Sequence, residues 1–293
     1  MGIADYEQLI AGFSGGFAAT IVCHPLDLLR IRYSVNDNNA SLRPQYRSYF
    51  HAIKSIVKAE GVRGLYQGLT PNIIASPLAW GLYFQFYHQM HPHFNYLSNA
   101  VSLPFQNLVV GCAAGASVMA VSNPLWVAKT RLCLQYENEA AKTYRGMIHC
   151  LRKILQEEGI KGWYRGFVPA LFGTLNGAIQ FAIYNYLKDW RYRTQNLSRD
   201  KPLGTLDYLV FSSASKMLST ASTYPYQVVR ARLQDHHTNY SSSREVMYRI
   251  IKNEGFTGFY KGMFMTTLKQ LPNGIVTYVV YEHAKQLIEK FAD

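Results

Sequence analysis

The chain has 293 residues, of which 48% are hydrophobic, 14% aromatic and 16% charged, where a soluble protein usually carries about a quarter of charged residues. Its net charge is +12, and its four cysteines, Cys23, Cys112, Cys133 and Cys150, form no CxxC pair, which argues against a disulfide scaffold or a cysteine-bound metal. Mean hydropathy is only −0.10, so any helices that cross a bilayer must carry polar faces that line something wet.

A hydrocarbon layer of about 30 Å needs roughly 20 helical residues, and six segments of the chain qualify. The first, 6–33, holds Gly12 and Gly16 at the four-residue spacing that lets helices approach closely. It ends in PLDLLRIR, starting at Pro25. An amphipathic stretch, 49–59, leads to EGVRGLYQG from Glu60 and then to the second span, 71–90. The third span, 104–135, contains Gly111, Gly115 and NPLWVAKTR from Asn123; the amphipathic segment 146–157, EGIKGWYRG from Glu158 and the fourth span, 169–187, follow. The fifth span, 206–234, carries PYQVVRAR from Pro225, succeeded by 244–253, EGFTGFYKG from Glu254 and the sixth span, 264–287.

The three signature prolines stand 99 and 101 residues apart, and the glutamate-glycine motifs keep the same period. Self-similarity of this kind marks a repeat architecture, with repeats at 5–95, 103–195 and 204–290. The blocks 30–68, 129–166 and 230–262 carry the whole +12, while the rest of the chain balances at nine against nine. Loops of one parity are therefore basic. In a bilayer such loops lie on the electrically negative side, and an even number of spans puts both termini on the other. A nucleic-acid-binding protein is disfavoured, because the basic residues flank apolar runs and form no single stripe.

The two recurring motifs resemble those of the mitochondrial carrier family, P-x-[DE]-x-x-[KR]-x-[KR] and [DE]-G-x-x-x-x-[FWY]-[KR]-G, over essentially the whole chain. The resemblance implies an all-α membrane protein with six transmembrane helices in three pseudo-threefold repeats, each with a short amphipathic helix on the matrix side. It further implies the mitochondrial inner membrane, multi-pass, with both termini toward the intermembrane space. The amino terminus, MGIADYEQL, lacks the pattern of a cleaved presequence, so targeting information is expected to be internal. No phosphate-binding loop, HExxH or nucleophile elbow occurs. The chain is thus expected not to be an enzyme, to need no cofactor or metal, to work as a monomer, and to bind no nucleic acid.

By the same resemblance, Asp27, Arg30, Lys129, Gln227 and Arg230 form a matrix gate where three proline kinks converge. Here Trp126 and Gln227 stand where the family has an acid, and Gln67 where it has a base. Pairing each acid position with the base of the next repeat gives Asp27 with Lys129, Trp126 with Arg230 as a cation–π contact, and Gln227 with Arg30. Lys188, Glu282 and Lys285 mark a cytosolic gate poor in ion pairs. Gly68, Gly146, Gly166 and Gly262, near helix starts whose free N–H groups can hold phosphate, correspond to cardiolipin sites or simply to helix starts and turns.

The fifth span replaces a glycine of the earlier repeats by Lys216, and Lys216, Thr220, Thr223, Gln227 and Arg230 fall within about 40° of one line. An ionisable group at membrane depth usually faces a wet cavity. With Lys269 and Gln270 on the sixth span, Thr174 on the fourth and Trp80 on the second, these residues suit a large anion bearing an aromatic ring. Trp126 reads either as a stacking surface for that ring or as a packed brace under the gate. The tryptophan of PLWVAKTRL together with PYQVVRARLQD is similar to the branch of the family that moves folate, flavin adenine dinucleotide (FAD), pyrimidine nucleotides or nicotinamide adenine dinucleotide (NAD), and most like its folate/FAD members. The expected cargo is FAD or folate. A nucleotide or NAD carrier is the alternative within the family, and a non-transporting scaffold the alternative outside it.

Overall fold

The computed structural model describes residues 7–37, 44, 46–94, 103–136, 144–195, 203–238 and 240–292. The ends expected for the first repeat, residues 5 and 95, lie outside them. The described residues form α1 (Glu7–Ser34), α2 (Tyr49–Gly64), α3 (Leu69–Phe94), α4 (Leu103–Cys133), α5 (Met147–Glu158), α6 (Ile160–Trp163), α7 (Phe167–Phe172), α8 (Leu175–Thr194), α9 (Thr205–Gln234), α10 (Ser243–Glu254) and α11 (Met263–Ala292). A 3-10 turn, Phe256–Tyr260, precedes α11.

Five expected spans appear as single long helices, and the fourth comes in two pieces, α7 and α8. Between them Gly173 and Thr174 keep right-handed helical dihedrals but bond i to i−3, Gly173 N–H to the Ala170 carbonyl at 2.9 Å and Thr174 N–H to that of Leu171 at 3.2 Å. Such tightening marks a locally strained turn. A neighbour comes close at this point: a β-carbon on Gly173 would lie 2.7 Å from the Tyr226 hydroxyl of α9.

By length and hydropathy two stretches, Gln106–Cys133 and Ile160–Thr194, are apolar enough to cross a membrane. Helices α1, α9 and α11 carry charges such as Asp27, Arg30, Lys216 and Lys269, which lower their mean hydropathy, and α3, which has no Asp, Glu, Lys or Arg, carries polar residues such as Gln85, His88 and Gln89. Large apolar side chains along their outer faces, among them Val22, Val121, Leu218 and Leu271, are exposed, as a lipid-facing surface requires.

The main helix packing joins neighbouring repeats: α1 lies on α11, α3 on α4, and α8 on α9. Pro25, Pro124 and Pro225 each sit inside a continuous helix, and the residue before each proline ties the bend to its own repeat. His24 Nε2 meets the Gln67 carbonyl at 2.8 Å, Asn123 donates to that of Trp163 at 2.7 Å, and Tyr224 to that of Lys261 at 3.1 Å. Three different side chains perform one task.

The last arginine of each signature performs another. Arg32 binds both carboxylate oxygens of Glu60 at 2.7 and 2.8 Å, Arg131 binds Glu158, and Arg232 binds Glu254, all within one repeat. Their Nε groups reach into the next repeat. Arg32 donates to the Cys133 carbonyl at 3.0 Å, Arg131 to Gln234 at 3.2 Å and Arg232 to Ser34 at 3.0 Å. First holds second, second holds third, and third holds first, so a closed ring of backbone contacts encircles the proline end.

The glycine after each of these glutamates has a positive φ, Gly61 at 69° where it kinks α2, and Gly159 at 66° and Gly255 at 69° where they end α5 and α10, a conformation that costs other residues energy. Beside this ring lie three apolar clusters, one per repeat, such as Val127, Ala128, Tyr144, Cys150 and Ile154 in the second. Most of the core therefore sits at the proline end, with a smaller cluster of Tyr192, Leu203 and Phe211 at the opposite ends of α8 and α9, and the middle between them is left free to be hollow.

Candidate functional site

Above the ring a cavity of about 1090 Å³ opens between α3, α4, α8 and α9. Of the residues expected to meet substrate, Trp80, Trp126, Thr174 and Arg230 line it; Lys216, Lys269 and Gln270 do not. Lys216 donates to Gln180 of α8 at 3.2 Å, joining two walls. Lys269 turns down toward the proline end, where its Nζ lies 2.8 Å from Asp27 Oδ1.

Asp27 is buried and also meets Lys129 at 3.3 Å, so one carboxylate serves two ammonium groups. Arg30 donates to the Gln227 side-chain carbonyl. The third expected contact takes a different form: the cation over Trp126 is Lys129, 5.3 Å from the ring centroid, while Arg230 turns to Asn123 Oδ1 at 3.4 Å. The reason is competition, since Asn123 stands beside the proline with an acceptor that a neutral indole face cannot match.

Two donors at the cavity floor consequently lack acceptors: the Nε of Arg230 and the indole Nε1 of Trp126 are both buried without a hydrogen-bond partner. Buried donors left unpaired are costly, and an anion entering the cavity could accept from them. Arg30, Lys129, Lys269 and Arg230 together face the single acid Asp27, so the floor carries excess positive charge. Trp80, 63% exposed, and Tyr83 on α3 line the cavity together with Phe181, also 63% exposed, on α8. Flat apolar walls thus stand over a cationic floor.

Sequence reasoning passed over Asn123, Tyr226 and Phe181 at this site, as well as Arg32, Arg131 and Arg232 beneath it. The signal for the arginines was present, because each stands seven residues after its proline and recurs together with the glutamate it binds. At the far end Lys188 lies 6.0 Å from the centroid of the Tyr192 ring on its own helix, and Glu282 makes no ion pair among the described residues. Glu282 and Lys285 share α11.

The glycines expected at lipid sites have a mechanical explanation of their own. Gly68, Gly166 and Gly262 have φ of 78°, 73° and 86°, and a β-carbon on them would strike the odd helix of the following repeat, at 2.6 Å from Cys133 Sγ in the first case. Gly146 precedes α5 with no side-chain cap, whereas Ser48 and Ser242 cap α2 and α10 at the equivalent places.

The mitochondrial carrier protein family profile matches the chain three times, at residues 4–97, 101–195 and 201–292. The chain is a mitochondrial carrier. As such it is a membrane transporter and not an enzyme, with the six-helix carrier fold. This carrier is 37% identical to the folate transporter 1, chloroplastic, of Arabidopsis thaliana over 297 residues, covering 98% of the chain and 96% of that protein. It is 36% identical to the nicotinamide adenine dinucleotide transporter 1, chloroplastic, of the same plant, covering 92% and 87%. It is 31% identical to the mitochondrial FAD carrier protein of Saccharomyces cerevisiae, covering 95% and 96%.

Proposed function

We propose that this carrier moves a planar heteroaromatic anion, FAD or a reduced folate, across the mitochondrial inner membrane into the matrix by alternating access. The observation that carries the reading is the pair of unpartnered donors on Arg230 and Trp126 beneath the exposed rings of Trp80 and Phe181. A carboxylate or phosphate accepts from the floor, and the conjugated ring lies against the aromatic walls. Asp27, Arg30, Lys129 and Gln227 act as the matrix gate. Lys188, Glu282 and Lys285 act as the cytosolic gate. In this scheme the protein works as a monomer with both termini in the intermembrane space. Cardiolipin phosphate sits near Gly68, Gly146, Gly166 and Gly262, best at α5, where no serine competes for the helix N–H groups.

A second reading, NAD as cargo, is favoured by the similarity to the plant NAD transporter. Uptake of FAD and of 5-formyltetrahydrofolate into liposomes containing the purified protein separates the two, with NAD and UTP as competitors and Arg230→Gln as control. Saturable uptake of FAD or the folate that Arg230→Gln abolishes supports the first reading. Uptake of NAD alone replaces it with the second.

A further inference from the structure

Immediately after α9, on the basic side of the protein and outside the long helices, Asp235, His236 and His237 bring three potential ligand atoms within 4.8 Å of one another. Asp235 is fully buried and His237 half-buried. His237 donates to Asp235 Oδ1 from its backbone N–H at 3.0 Å, and its Nδ1 lies 2.8 Å from the same oxygen. His236 is the unexplained member. Both of its ring nitrogens are buried and neither has a hydrogen-bond partner. Its ring packs against those of Tyr144 at 5.3 Å and His237 at 3.9 Å.

A neutral imidazole always has one acceptor nitrogen, and a buried polar group without a partner calls for an explanation such as an ion. Two imidazoles and a carboxylate are a donor set of borderline softness, suited to zinc-class divalent ions rather than to magnesium. Ligands stand about 2.0–2.2 Å from such an ion, so binding would draw the donors together by roughly an ångström, with water completing the coordination.

We propose that Asp235, His236 and His237 form a binding site for a zinc-class divalent metal ion, which braces the joint between the second and third repeats. The three residues follow directly on Gln234, whose carbonyl receives Arg131 across that joint. The two histidine rings pack on Tyr136 and Tyr144 of the second repeat. An ion held there stiffens the third-repeat side of this contact. Cys150 nearby is no competitor, because burial pushes its thiol up to about 12 and so keeps it protonated.

The test uses purified full-length protein in detergent with Co²⁺ as a spectroscopic probe and Zn²⁺ as the stabilising ion. Wild type should show the visible absorption of four-coordinate Co²⁺ without a thiolate charge-transfer band. Zn²⁺, but not Mg²⁺, should displace it and raise the melting temperature. His236→Asn and His237→Asn, melting like wild type in EDTA, should each weaken metal binding by at least about tenfold, a loss already seen when only supporting contacts are removed. No Co²⁺ band in wild type, a thiolate band, or an equal Zn²⁺ response in His236→Asn would overturn the proposal. The first and second results need no variant, so a misfolded mutant cannot shield it.

Discussion

Arg230 offers five N–H donors and makes one long hydrogen bond, to Asn123 at 3.4 Å, so its guanidinium enters the cavity largely unspent. Replacing it with Gln should weaken anion binding by roughly 10- to 100-fold, the worth of one charge-assisted hydrogen bond, and should appear as a raised KM for uptake. Lys at this position keeps the charge but loses the fork, so Arg230→Lys should recover only part of the affinity. Trp126→Phe should retain more uptake than Trp126→Ala if the ring stacks; equal loss would show that the indole N–H, which both variants lack, is what matters. Both positions stood out in the sequence because they recur in every repeat, Arg230 beside the cations Arg30 and Lys129 and Trp126 where the other copies are Asp27 and Gln227. The contact made by Lys269 was not legible there. Its flexible four-carbon stem carries the ammonium well away from its backbone position, and Asp27, 242 residues earlier, decides where it ends.

Each amphipathic helix carries near its end a glutamate bound by an arginine of the long helix before it, and this pairing gives the proline end a dependence on acid. Burial raises the carboxyl pKa values of Glu158 and Glu254, but the bonds from Arg131 and Arg232 and the further cations Arg165 and Lys261 outweigh it and bring both below the ordinary 4.5. A carboxylate whose pKa is depressed by folding contributes stability above its unfolded value and loses it as pH falls through the folded one. The melting temperature of the purified carrier should therefore drop as pH is lowered below about 4.5, and Glu158→Gln should flatten the drop. Arg232→Ala leaves Glu254, 2% exposed, without its main partner, and should cost about 3–5 kcal/mol. Between α7 and α8, Gly173→Ala should lower transport by forcing α8 away from Tyr226, with partial rescue by Tyr226→Phe. Helix positions followed from hydrophobic period and proline spacing, which are local properties. The break at Gly173 and Thr174 did not, since the close approach of Tyr226 there comes from another repeat.

Across the whole molecule, +12 of charge lies in three blocks on one side, and a cationic floor lies at the base of the cavity. Attraction of an anionic cargo over such distances is screened beyond about 10 Å at 0.1 M salt. Uptake at low cargo concentration should thus fall as salt rises from 50 to 200 mM, through KM rather than maximal rate. The threefold architecture was readable because two gapped motifs recur in register. The closed ring of Arg32, Arg131 and Arg232 needed coordinates, because each guanidinium grips a main-chain carbonyl, and a carbonyl leaves no trace in a sequence. That choice of acceptor has its own result. A grip on the main chain is indifferent to which side chain the next repeat displays, so the gate positions above could drift to Trp126 and Gln227 while the hoop beneath kept its shape. A hoop also has no loose end until it is cut once. The first of its three joints to be severed should cost the carrier much more rigidity than the second, and a double mutant of Arg32 and Arg232 should fall well short of the sum of its parts.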